Sequence, residues 1–287
     1  MPDSTATVLE SQPDWLTVGT HNHDRTEKLR AHADRWVQQE VAEGARVKPF
    51  MLLGYLGWKA GRVRWAERED WGLLQLSGDL AREHWDTATA LAHRVSRIDL
   101  AVTVRTSDPD PDLGPRHLME ATAYRLAHPT AAKPSYHGDS DGGYTMYLGA
   151  RASDWYLRIY NKDAEQREAN IGSTLGDYLN AWRYELEVKG NAAKITAAAY
   201  LDAADRTTWV GNTVHAYCRG HGLAPAFAPD QYTERPKGLR RRSDRETRLA
   251  WLRSTVAPSV RWLSEQGFRG ETLLALGIED TPNTNGQ

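Results

Sequence analysis

Residues 156–162 read YLRIYNK and residues 182–189 read WRYELEVK. A β-strand sends alternate side chains to opposite faces, so in the first stretch Tyr156, Arg158, Tyr160 and Lys162 share one face while Leu157 and Ile159 take the other. The second stretch aligns Arg183, Glu185, Glu187 and Lys189 against Trp182, Tyr184, Leu186 and Val188. A third, SRIDLAVTV at residues 96–104, sets Arg97, Asp99, Ala101 and Thr103 against Ile98, Leu100 and Val102. Strands with one polar and one apolar face predict an α+β protein, an antiparallel sheet whose polar face carries chemistry and whose other face is covered by helices. If the three share that sheet, a tyrosine hydroxyl, acids for a divalent metal and cations for a phosphate converge. Those are the groups of phosphodiester transfer.

Asp99 sits in an otherwise apolar strand, where an unpaired charge is costly, so it needs a partner or a metal. The metal reading takes Asp99 with Glu185 and Glu187 as ligands, and oxygen-only ligands suit magnesium or manganese. The alternative is an ion pair with Arg97 or Arg183.

The segment TMYLGARASDWYLRIYNKDAEQRE (residues 145–168), with SRIDLAVTV before it and WRYELEVKGN after it, resembles the Rep_trans-type replication initiators of rolling-circle plasmids. Relatives of that family occur in phages and integrative elements. Looser agreement runs from DWLTV at Asp14 to LLALGI ending at Ile278. The resemblance implies an HUH-like Rep nuclease fold and a nucleophilic Tyr160, which attacks one DNA strand at an origin and forms a 5′-phosphotyrosyl bond. A phenol of pKa near ~10 needs a base or cations to attack at neutral pH. Arg158 and Lys162 share its face, where they would lower that pKa and hold the phosphate. Arg183 and Lys189 are further candidates for contact with DNA. The family's usual second acid, four residues after the aspartate, is Thr103 here, so the ligand set stays open. The expected partners are an origin hairpin with its single-stranded nick site, a second copy of the chain and a host helicase. A conjugative relaxase would share the chemistry, and a noncatalytic DNA-binding regulator would share the fold. Such relaxases often carry an N-terminal DNA-binding domain, for which the residues before Asp14 leave no room.

The remainder frames this core. At 287 residues and 40% apolar content the chain can bury a core, and no run of the ~20 apolar residues of a membrane span occurs, so a cytoplasmic protein is expected. The lone Cys218 excludes an internal disulfide. A net charge of -2 does not mark a nucleic-acid binder, so positive charge must be concentrated locally. Residues 234–253 do this: eight Lys and Arg, among them Arg240, Arg241, Arg242 and Arg245, face only Glu234, Asp244 and Glu246. The predicted organisation is a disordered leader over 1–13, a catalytic nicking domain over 14–221, a linker over 222–242, a helical DNA-binding region over 243–278 and a tail over 279–287. Within the domain, DWLTV reads as the first strand and residues 27–44 as a helix with an apolar stripe of Leu29, Ala33, Trp36, Val37 and Val41. His21 and His23 read as loop histidines, not as a metal motif, and HPTAAKPSYHGDSDGG as a polar connection. Most of the 11 tryptophans belong to the core.

Overall fold

The computed structural model describes residues 6–52, 54–106, 113–138, 143–168 and 178–227. The chain divides into two units, residues 1–238 and 239–287, and every described residue belongs to the first. The arginine cluster, with Arg240, Arg241, Arg242 and Arg245, and the C-terminal helical region lie outside the described residues.

Among the described residues, ten strands form one antiparallel sheet. In chain order they are β1 (Thr7–Thr20), β2 (Lys48–Leu52), β3 (Tyr55–Ala60), β4 (Val63–Arg68), β5 (Trp71–Ser77), β6 (Arg94–Arg105), β7 (Pro134–Gly138), β8 (Tyr144–Leu148), β9 (Trp155–Asn161) and β10 (Ala181–Lys189). In space the order is β2-β3-β4-β5-β1-β6-β10-β9-β8-β7. The three strands read from sequence as one polar face, β6, β10 and β9, are therefore adjacent and central.

The helices are α1 (His23–Ala42), α2 (Asp79–Glu83), α3 (Trp85–Leu91), α4 (Leu113–Ala127), α5 (Lys162–Glu168), α6 (Gly190–Leu201) and α7 (Arg206–Arg219). Asn22, in extended conformation, accepts the Arg25 amide and caps α1, and Asp205 caps α7 through the amides of Thr207 and Thr208. Helices α6 and α7 lie on the central strands β6 and β10. Helix α4 meets the same face: His117 is hydrogen-bonded to the Tyr184 hydroxyl at 2.8 Å. Leu16, Leu76, Ile98, Leu100, Leu186 and Val188, fully buried, line that apolar face.

Three features differ from the sequence reading. The first strand begins at Thr7 rather than Asp14, so half of the supposed leader is sheet. Its register on β6 shifts between Val8 and Glu10 and again between Pro13 and Trp15, and those bulges scramble the alternation by which a strand is recognised. Pro13 is tolerated because β1 pairs with β5 only over Trp15–Thr20, which leaves its earlier half on an edge. Secondly, the polar connection before β8 contains strand β7, which is specified by the neighbouring edge rather than by its own hydrophobicity. Thirdly, the buried stripe of α1 passes through Glu40 in place of Val41, which is 38% exposed. The Arg62 amide donates to the Glu40 carboxylate at 2.6 Å and its Nε at 2.9 Å, so the acid is buried with its charge satisfied.

Candidate active site

Antiparallel register turns the polar face into a grid. One row runs Thr145 on β8, Tyr160 on β9, Arg183 on β10, Thr103 on β6 and Glu10 on β1. The next runs Tyr147, Arg158, Glu185, Ala101 and Gln12, and the third Tyr156, Glu187, Asp99 and Trp15. Residues far apart in sequence, such as Glu10 and Thr103 or Thr103 and Arg183, thus become cross-strand neighbours.

The first row is tied by charge. Arg183, only 3% exposed, donates to Glu10 Oε2 at 2.8 Å and to Thr103 Oγ1 at 3.0 Å, and its Nη2 stands 2.6 Å from Asp14 Oδ1. Asp14 is the extra residue of the second bulge, between Pro13 and Trp15. Burial works against the charged guanidinium, but Asp14, Tyr160, Glu185 and Glu10 together raise the Arg183 pKa. Burial likewise pushes Glu10 up, yet the Tyr178 hydroxyl, Arg183 and Thr103 outweigh it and leave its pKa lowered. The terminal nitrogens of Arg183, a residue expected to contact DNA, are engaged in this buried network.

Around Tyr160 the hydroxyl donates to Glu185 Oε2 at 3.4 Å. Burial, with Glu185 adding repulsion and Arg183 opposing, pushes the phenol well above its ordinary pKa. The cations sharing its face therefore do not make it a phenolate in this state. Lys162 is also placed differently from its expected strand position: β9 ends at Asn161 and Lys162 opens α5. Its Nζ is 5.9 Å from the centre of the Tyr160 ring and 2.5 Å from Glu165. Two buried N–H groups beside the tyrosine, Arg158 Nε and Arg183 Nε, have no hydrogen-bond partner among the described residues.

In the third row Arg97 grips Asp99 with two bonds of 2.8 and 2.6 Å and reaches Glu187 at 2.7 Å. Arg158 pairs with Glu185 and lies 3.9 Å from Asp99. Lys189 Nζ is 2.6 Å from Glu187, and Trp15 packs against Arg97 and Arg64 at 4.8 and 4.6 Å. Asp99 is 1% exposed; burial, opposed by Arg97 and reinforced by Glu185 and Glu187, pushes its pKa up to about 7. Among the described residues no three His, Cys, Asp or Glu side chains are grouped as a ready-made metal cage. The three carboxylates nevertheless share one face and repel one another, and oxygen donors fit a hard divalent cation in kind. The arginines hold them in the present arrangement, and the ion pair with Arg97 is the partner Asp99 required.

The two loop histidines make no such cluster. The rings of His21 and His93 are tilted against each other with centroids 3.6 Å apart, and His23, the first residue of α1, lies 3.7 Å from Asp70. Sequence reasoning missed Glu10, Asp14 and Tyr178 as members of the site. The ESQPD run at 10–14 carried no alternation, and Tyr178 precedes its strand by three residues.

Residues 93–225 match the family described as replication initiation factor. That match takes in 133 of the 287 residues, a little under half of the chain. A protein of Bacillus subtilis (strain 168) named as a DNA relaxase, NicK, is 35% identical over 95 residues, which are 30% of this chain and 26% of that protein. Two replication initiation proteins of Staphylococcus aureus are 32% identical over 66 residues, 23% of this chain and 21% and 20% of theirs. The matches thus span about a quarter or less of these relatives. The structure of a rolling circle replication initiator protein from Geobacillus stearothermophilus aligns with a TM-score of 0.44 and 15% identity, over 74% of this chain and 84% of that one. The polar grid is built by β6, β9 and β10 from inside the matched region, and by β1 from outside it.

Proposed function

We propose that this protein is a replication initiation factor that nicks one DNA strand by transesterification on Tyr160. The observation that carries the reading is the pair of buried, unspent guanidinium N–H groups of Arg158 and Arg183 on either side of a tyrosine whose hydroxyl faces a carboxylate. Unsatisfied buried donors call for an acceptor, and a phosphate oxygen is one. The Tyr160 proton passes to Glu185, which its hydroxyl already addresses. The phenolic oxygen then attacks phosphorus as the bond to the 3′-oxygen breaks, the 3′-oxygen takes back the proton held by Glu185 and leaves as a hydroxyl able to prime synthesis, and the 5′-phosphate stays on the tyrosine. Arg158 and Arg183 hold the nonbridging oxygens through the step, a positioning and charge-stabilising role. Asp99, Glu185 and Glu187 are the residues that would hold Mg2+ or Mn2+, and the ion would supply further positive charge at those oxygens.

The expectation of a cytoplasmic homodimer acting with a host helicase at an origin hairpin rests on the family resemblance. The name of the Bacillus relative favours, as a second reading, a conjugative relaxase with the same chemistry.

The test uses single-stranded oligonucleotides tiling the DNA around the chain's own coding sequence, with magnesium or manganese present. One tile should give a nicked product and an adduct that survives denaturing gels, and Tyr160→Phe should bind that tile and yield neither. An adduct retained by Tyr160→Phe overturns the assignment, and binding without any cut in the wild type favours a noncatalytic regulator.

A further inference from the structure

The polar side of the sheet continues past the grid onto β2, β3, β4 and β5, which all precede residue 93 and so lie outside the matched region. Cross-strand register sets Lys48, Lys59 and Arg64 in one row, which runs on through Gln75 and Thr17 to Arg97. Towards the other end of these strands Arg68 pairs with Trp71 and lies over the ring of Tyr55 at 5.8 Å. The one acid in the four strands is Glu67, which is turned to the opposite side and accepts from Arg30 of α1 at 2.9 Å. This half of the polar face therefore presents cations and aromatic rings with no carboxylate among its strand residues. Lys48, Lys59, Arg68 and Trp71 are exposed. Arg64 and Arg97 share the ring of Trp15, at 4.6 and 4.8 Å, but only Arg97 has acids to pair with, Asp99 and Glu187. Arg64 Nη1 is buried with no hydrogen-bond partner among the described residues, and burial, then the like charge of Arg97, hold the Arg64 pKa below its ordinary value. A guanidinium so placed calls for an anion.

We infer that the polar side of β2–β5 is a docking surface for single-stranded DNA, whose phosphates follow the row from Lys48 through Arg64 toward Arg97 and the catalytic grid. That a strand binds here stands on these residues alone; that it is the strand cut at Tyr160 rests on the reading given above. Phosphate supplies the charge that the row lacks. The aromatic rings select the single strand: Trp71 and Tyr55, set among cations, are platforms for unpaired bases, whereas a duplex keeps its bases stacked on one another. From β2 to β6 the row crosses five strand spacings of ~4.8 Å, roughly 24 Å. That length suits the lower end of the ~4–16 nucleotides that such surfaces hold. The row ends on Arg97, which grips Asp99 and Glu187, so a strand lying along it arrives at the catalytic acids.

The experiment measures binding of the full-length protein to a fluorescein-labelled oligothymidylate of ~12 nucleotides. Fluorescence anisotropy is read across a salt series without divalent metal, so that no cutting enters. Lys48→Gln, Lys59→Gln and Arg64→Gln in one protein should weaken binding about tenfold or more and make the slope of log affinity against log salt shallower by about two, given ~0.7 counterions per single-strand phosphate contact. The pair Lys48→Gln and Lys59→Gln, both exposed and leaving Arg64 on Trp15, should move the slope by about one. Trp71→Ala should weaken binding about fivefold or more at an unchanged slope, and Trp71→Phe should recover most of the loss. Binding of a duplex of the same length should stay within about twofold of the wild type in all four variants. An unchanged single-strand slope in both charge variants overturns the inference, and so does an equal loss for the duplex, which would assign the face to double-stranded DNA. Oligothymidylate binding that responds as expected in a protein that forms no adduct on Tyr160 supports the docking surface and refutes the nucleophile alone.

Discussion

Arg183 is held by two carboxylates of β1, Glu10 and Asp14, and a double-mutant cycle on the pair tests that placement. The contacts are 2.8 Å to Glu10 and 2.6 Å to Asp14, with the guanidinium buried and each acid partly exposed. Leaving a buried charge with no partner costs roughly 3–5 kcal/mol. Either single variant, Glu10→Gln or Asp14→Asn, leaves Arg183 one full counter-charge, so each should cost about 1–2 kcal/mol, the range of a hydrogen bond to a charged group reduced for solvent exposure. The double variant removes both counter-charges and should reach about 4–5 kcal/mol, more than the two singles together. Urea unfolding of the four proteins at pH 7, followed by far-ultraviolet circular dichroism, reads the coupling. Because the Glu10 pKa is lowered by folding, its contribution is fully present above the unfolded carboxylate value of ~4.3 and is lost as pH falls through the lower folded value. The coupling should therefore fade in acid. Additive singles below about 0.5 kcal/mol each would refute the argument and detach β1 from the site.

Chelator should stop cleavage and magnesium or manganese should restore it, and Asp99→Asn should imitate the chelator in the same gel assay; full cutting by that variant without added metal removes the carboxylate site. Gly61 has φ +49°, and a Cβ there would stand 1.8 Å from Glu40 Oε2, which Arg62 pins. Gly61→Ala should lower unfolding stability by about 1–3 kcal/mol, and restoring it with Glu40→Ala in the same protein would fail if the clash were not the cause. Replacing Arg240, Arg241 and Arg242 with Ala should make the slope of log affinity for origin duplex against log salt shallower by about two to three units, given ~0.7–0.9 counterions per phosphate contact. An unchanged slope would mean that the cluster does not meet the DNA backbone.

The sequence by itself determined the central sheet and much of its polar face. Period-two alternation in residues 96–104, 156–161 and 182–189 is a local property of the chain, so Asp99, Arg158, Tyr160, Glu185 and Glu187 could be assigned to one face without coordinates. That the three lie side by side was left conditional by the sequence and is set by their pairing in the sheet. Lys162 stands at the junction, because β9 ends at Asn161 and the helix opens with Lys162 itself. Only the tertiary structure decided which acid meets which base. Register across four strands places Glu10 opposite Thr103 and Arg183 opposite Tyr160, and two bulges in β1 fix that register. A bulge is set by how the strand must twist to stay paired with its neighbour, a demand that comes from the partner and leaves no period in the bulged sequence. For the same reason the electrostatics could not be read in advance. Neighbouring cations alone argue for an acidic Tyr160, but burial among carboxylates, a property of the assembled sheet, holds the phenol protonated until a base takes its proton.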